Sequence, residues 1–197
     1  MKKYLFILPI MASCNGSGQY NVNPTGEGQS NREPVARNIK LESLDKDGNF
    51  KEDPVLVCFD VDGTILDRND SLIDHEGLKN LINNLLESGN RVAITTLSSR
   101  YDKTLLKKIG LTEDQIKDIP IMGWSDPKTT GGGHKEGHIQ QAMKLTNIKD
   151  IKRVILVDDD GRQIMRAKFF GATGVPAGYK GFSWSKVQES VDKLNQK

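Results

Sequence analysis

The stretch VLVCFDVDGTILD, residues 55–67, decides how this chain is read. Its first residues, Val55, Leu56, Val57, Cys58 and Phe59, form an unbroken apolar run, which predicts a strand buried on both faces. The run stops at Asp60, and a second carboxylate, Asp62, comes just after it, ahead of Gly63 and Thr64. Like charges at the mouth of a core repel and raise one another's pKa values unless a cation compensates them. Such a strand end is either ordinary Asp-Gly turn chemistry or one wall of a site.

The following residues repeat a strand–helix alternation. Asp74 is placed to cap a helix in which Leu78, Leu81, Ile82, Leu85 and Leu86 share one stripe and Gly89 marks the end. RVAITTL, residues 91–97, predicts a second strand. A helix starting at Ser98 or Ser99 carries Leu105, Leu106 and Ile109 to Gly110, and Thr112 with Gln115 suits a capping box. DIPIMGW, residues 118–124, has room for a brief third strand. A helix over about 135–145 turns Ile139, Ala142 and Met143 inward. RVILV, residues 153–157, is a fourth strand, followed by a helix over 161–170 that ends at Gly171. ATGVPAG, residues 172–178, suits a short fifth strand, and Ser183 or Ser185 caps a last helix with Val187, Val191 and Leu194 inward. The alternation predicts an α/β fold, a three-layer Rossmann-like parallel sheet.

Sheets of this kind bind ligands outside the carboxyl ends of their strands. The second predicted strand ends in Thr95 and Thr96, the fourth in Asp158, Asp159 and Asp160, and Lys135 opens the helix before the fourth. Carboxylates gathered at one edge call for a cation, and hard oxygen donors with no nearby His or Cys set favour Mg²⁺ over zinc. His134 and His138 stand four apart, but no third ligand joins them, so they read as surface histidines. GGGH, residues 131–134, lacks the Gly-Lys-Ser/Thr ending of a phosphate-cradling loop.

DVDGT, VAITT, HKEGH and VILVDDD, in that order within about residues 55–175, resemble the haloacid dehalogenase (HAD) superfamily of phosphotransferases. GW before HKEG, with the double aspartate, resembles a secreted, lipoprotein-bearing bacterial branch of it. The resemblance implies a Mg²⁺-dependent phosphomonoester hydrolase acting through an aspartyl-phosphate. Asp60 would be the nucleophile, and Asp62 the general acid and then the general base. Asp60, Asp62 through its backbone carbonyl, Asp158 and Asp159 would hold Mg²⁺. Thr95 would donate to a phosphoryl oxygen, Lys135 would neutralise charge building up in the transition state, and Thr64 would help fix the loop after the first strand. Many relatives carry another acid a few positions after the double aspartate, where Gln163 stands here, so the main ligand stays open among Asp158, Asp159 and Asp160. Neither the gap from Thr64 to Arg91 nor that from Thr96 to Lys135 is long enough for a full cap domain. The expected substrate is a phosphorylated molecule, small or macromolecular. The competing reading is a catalytically silent HAD-like module that binds a metal or a partner.

The opening MKKYLFILPIMASC, residues 1–14, has two lysines, a short apolar run and small residues, the order of a signal peptide. Its ending resembles the lipobox of bacterial lipoproteins and makes Cys14 the lipidated first residue of the mature chain. The expected division is a signal peptide over 1–13, a lipidated cysteine and flexible tether over 14–53, rich in Asn, Gly, Ser and Pro, and a catalytic domain over 54–197. This places the protein at the bacterial cell envelope, held to a membrane by the lipid on its periplasmic or extracellular face; an ordinary cleaved signal would make it secreted. DKDGNF, residues 45–50, fails the spacing of a calcium loop and reads as a turn. Among 197 residues, 28 are Lys or Arg and 26 are Asp or Glu, and no basic excess points to nucleic acid. Cys58, inside the first strand, reads as a small core residue.

Overall fold

Apolar runs and amphipathic stripes settle into a five-stranded parallel sheet in the order β3-β2-β1-β4-β5. The structure, a computed structural model, describes residues 53–123, 134–178 and 182–196. The expectations for the signal peptide, Cys14, the tether, the turn at 45–50 and the glycines of GGGH lie outside those residues. The elements are β1 (Leu56–Phe59), α1 (His75–Glu87), β2 (Arg91–Thr95), α2 (Lys103–Lys108), α3 (Glu113–Asp118), β3 (Ile121–Met122), α4 (Glu136–Leu145), β4 (Val154–Asp158), α5 (Gly161–Phe170), β5 (Thr173–Pro176) and α6 (Ser185–Asn195).

Alternate residues of each strand face opposite sides of the sheet, and each side has its own core. Val55, Val57 and Phe59 pack with α1, α2, α3 and α6, through residues such as Leu78, Ile82, Leu106 and Val187. Leu56, Cys58, Ala93 and Leu156 pack with α4 and α5, through Ile139, Ala142, Ile164 and Ala167. Cys58 is a buried free thiol in that second layer, and burial pushes its pKa up to about 12, which leaves it inert. The result is a helix–sheet–helix sandwich, and no insertion of cap size interrupts it among the described residues.

Several boundaries differ from the sequence expectation for local reasons. α2 starts at Lys103, not at Ser98 or Ser99, because Asp102 is its cap, accepting from the Thr104 N–H at 2.8 Å. Thr96 and Ser98 instead use their hydroxyls on the loop, accepting from the N–H groups of Ser98 and Arg100. Neither Ser183 nor Ser185 caps α6: their hydroxyls bond each other at 2.8 Å. The N-cap is Trp184, whose buried ring meets Phe59 and Phe182 edge to face. Packing rather than capping starts this helix. β4 begins at Val154 and reaches Asp158, because Arg153 belongs to a short 3₁₀ turn and reaches the backbone carbonyls of Leu194 and Asp53. The capping box of Thr112 and Gln115 is present, as are the Asp74 cap and the αL glycine Gly171 after α5.

Candidate active site

Register explains why distant residues meet. Phe59 of β1 lies opposite Ile94 of β2 and Val157 of β4. The next residues, Asp60, Thr95 and Asp158, are therefore level at the carboxyl edge of three adjacent strands. After β1 the chain leaves toward β2 and β3, then returns to place β4 on the other side of β1. The β1/β4 junction is thus the topological switch point, where sheets of this kind open a crevice.

Lys135 enters the crevice from the start of α4 with only 3% of its surface exposed. Its ammonium bonds Asp60 Oδ1 and, at 2.6 Å, Asp158 Oδ2. Its backbone N–H donates to the Oε1 of buried Gln163 at 3.3 Å. Gln163, in the slot where the resemblance led us to expect an acid, therefore holds the backbone that carries the lysine. Asp60, Asp158 and Asp159 each bring a carboxylate oxygen to within 4.8 Å of the others. Burial pushes the Asp60 carboxyl up to about 6, against the pull of Lys135 and with repulsion from Asp158 added. Burial, then Asp158, also raises Asp159.

Two glycines make room for Asp159. A Cβ on Gly63 would fall 2.2 Å from Asp159 Oδ2, and one on Gly178 would fall 2.8 Å from Asp159 Cβ. Both have φ in the left-handed region, +80° and +70°, where glycine alone is unstrained. Oxygen-only donors, close spacing and a space kept clear by glycines fit a hard divalent cation such as Mg²⁺. Asp160 stands outside the group. It caps α5 by accepting from the Arg162 N–H at 2.8 Å, and the hydrogen bond from the Arg162 guanidinium lowers its pKa. Of the three aspartates left open by the sequence, Asp158 and Asp159 face the crevice.

Thr95 is fully buried, and its hydroxyl has no hydrogen-bond partner among the described residues. A buried hydroxyl left in this state costs about 1–3 kcal/mol, so this atom is suited to meet a ligand. Thr96, beside it, already accepts from Ser98. Thr64 does not fix its loop through its side chain: its buried hydroxyl is also unpartnered among the described residues, and only its N–H bonds back, to Val61 O at 3.3 Å.

Asp62 was expected to reach a metal only through its backbone carbonyl, and its side chain lies elsewhere. Its carboxylate does not join the group of Asp60, Asp158 and Asp159. It lies half-exposed over the loop after β2, where Oδ1 accepts from Arg100 Nη2 and from the Tyr101 hydroxyl, both at 2.5 Å. Any part in metal binding falls to its backbone. Arg100 also pairs with Asp70 at 3.1 Å and lies 4.7 Å over the Tyr101 ring. Burial, reinforced by the bond to Asp62, pushes the Tyr101 phenol up to about 12, which keeps it a donor. Arg100 and Tyr101 were missed from sequence; their signal was position, since SSRYD follows directly on a strand that ends in the site. Of the two histidines expected at the surface, His138 is instead buried on α4, at 2% exposure.

No family model and no curated protein matches this sequence. Among solved structures, an uncharacterised protein from Listeria monocytogenes serotype 4b superposes with a TM-score of 0.55 at 13% identity, over 73% of this chain and 99% of that one. An uncharacterised protein from Corynebacterium glutamicum gives 0.52 at 16% identity, over 71% and 93%. These likenesses show the fold. A phosphatase domain from Bacteroides fragilis, complexed with Mg, is also similar, at 14% identity over 74% of this chain and 41% of that one, but its TM-score of 0.44 is too low to carry an argument.

Proposed function

We propose that this protein is a Mg²⁺-dependent phosphomonoester hydrolase of the HAD type, working through a phosphoryl group carried on Asp60. The observation that carries this reading is the convergence of Asp60, Asp158, Asp159 and Lys135 at the switch point of a parallel sheet. Asp60, Asp158 and Asp159 would hold the metal, together with the Asp62 carbonyl. Bound there, Mg²⁺ would screen the anionic nucleophile from the anionic ester and polarise a phosphoryl oxygen.

The remaining work belongs to the chain. An Asp60 carboxylate oxygen bonds to phosphorus while the bond from phosphorus to the ester oxygen breaks, its electron pair staying on that oxygen. Lys135, already against Asp60 and Asp158, balances the charge on the transferring group. The Thr95 hydroxyl donates to a phosphoryl oxygen, which supplies the partner it lacks among the described residues. Asp62 gives the departing oxygen its proton and later takes one from the water that releases phosphate and restores Asp60. No cap covers the edge among the described residues, so a large substrate, or the loops after β1 and β2, would have to exclude water.

The test compares purified protein and its Asp60→Asn variant on a generic aryl phosphate with and without Mg²⁺. The variant should fold normally and lose roughly a thousandfold or more in turnover. Equal rates would end the proposal. The reading extends to the cell envelope through a lipid on Cys14, and Cys14→Ser should then move the protein from the membrane fraction to the soluble one; a protein that is soluble with Cys14 intact would refute the anchor.

A further inference from the structure

We infer that Arg100 and Tyr101 are positioning residues that hold Asp62 for proton transfer to the leaving group; this rests on the phosphatase reading above. Asp62 lies in the loop after β1, is half-exposed, and has no helix or strand to set its rotamer. A free surface carboxylate would sample several rotamers, and general acid catalysis needs its proton within hydrogen-bond reach of the ester oxygen. Here two donors from adjacent residues converge on one oxygen, Oδ1. Among the described residues Oδ2 accepts no hydrogen bond, so it is the oxygen left to carry the proton.

The donors are themselves held. Asp70 ties Arg100 back to the loop that carries Asp62, and the guanidinium lies over the Tyr101 ring. The loops after β1 and β2 are thereby joined across the carboxyl edge of the sheet. Tyr101 also lines a groove of about 540 Å³ with Lys103, Lys117, Ile119, Ile121 and Leu145. Asp62 and the strand-end carboxylates do not line this groove, so it forms no part of the proton-transfer site. None of these features is needed to build the metal group or the sheet.

Positioning an acid matters only where the departing oxygen needs a proton. An alkyl phosphate releases a strongly basic alkoxide and depends on Asp62, whereas a nitrophenyl phosphate releases a stable phenolate and hardly does. The experiment therefore measures kcat/KM for wild type, Tyr101→Phe, Arg100→Ala and Arg100→Lys on one alkyl and one nitrophenyl phosphate with Mg²⁺. Tyr101→Phe, which removes only the oxygen, and Arg100→Ala should each lose about 10- to 100-fold on the alkyl ester and less than about threefold on the aryl ester, with Arg100→Lys recovering part of the loss. Losses equal on both esters, or none on either, would overturn the inference while leaving the phosphatase reading intact. A wild-type protein with no turnover dependent on Asp60 would overturn both.

Discussion

Two groups of carboxylates lie a few residues apart along this chain and obey different physics. Asp60 and Asp158 end strands, are almost fully buried, and share the ammonium of an equally buried Lys135. Asp62 and Asp70 sit on a loop, are about half-exposed, and share the guanidinium of Arg100, itself half-exposed. In the first group water is excluded, so the charges depend on each other and on whatever cation the crevice admits. In the second, solvent screens every pair, and exposed ion pairs contribute about 0–1 kcal/mol. The buried group is built to concentrate charge. The exposed one is built to aim a side chain at little cost to the fold.

Removing each shared cation tests that contrast. In metal-free protein, Lys135→Met leaves two buried carboxylates without a countercharge and should destabilise by about 3–5 kcal/mol. Arg100→Met should cost less than about 1 kcal/mol in the same urea titration. Divalent cation should restore part of the first loss and none of the second. Equal losses would show that the two groups are not distinguished by burial.

A smaller effect should follow from the cradle of Asp159. Gly178→Ala puts a Cβ 2.8 Å from Asp159 Cβ at a φ of +70°, at a cost of about 1–2 kcal/mol. Because that contact displaces a proposed ligand, the stabilisation by Mg²⁺, which grows with concentration over Kd, should shrink as well. A variant with a lower Tm but an unchanged Mg²⁺ shift would remove Asp159 from the metal group.

The contrast also explains what could be read from sequence. Asp60, Thr95, Asp158 and Asp159 were legible because apolar strands announce their own ends and parallel sheets gather ligands there. Lys135 was legible as the opening of the helix before β4. Arg100 and Tyr101 sit in a loop whose path depends on Thr96, Ser98 and Asp102, and no periodicity marks a loop. The direction of the Asp62 side chain was hidden for the same reason. Gly178 was read only as the end of the fifth-strand stretch, because its purpose is the space it leaves for a side chain 19 positions earlier. The burial of His138 follows from its place four residues before Ala142 on the inward stripe of α4, a stripe the sequence had marked by its apolar residues alone.

The smallest expected effect lies where the exposed loop meets α2. Asp102 accepts from both the N–H and the hydroxyl of Thr104, at 2.8 and 2.6 Å, and these bonds lower its pKa from the usual 3.8. A carboxyl whose pKa is lower folded than unfolded adds stability above the unfolded value, and that contribution fades as pH falls through the folded value. The cap should therefore hold at neutral pH and loosen only below pH 3.8, visible by NMR as a shift of the Thr104 amide that tracks the Asp102 carboxyl. Because Asp102 follows directly on Tyr101, loosening the cap should also free the clamp on Asp62, whereas the strand-borne residues at the switch point have no bond to this cap. A Thr104 amide that shifts instead near neutral pH would mean that the loop carrying Arg100 and Tyr101 is anchored by something other than this cap.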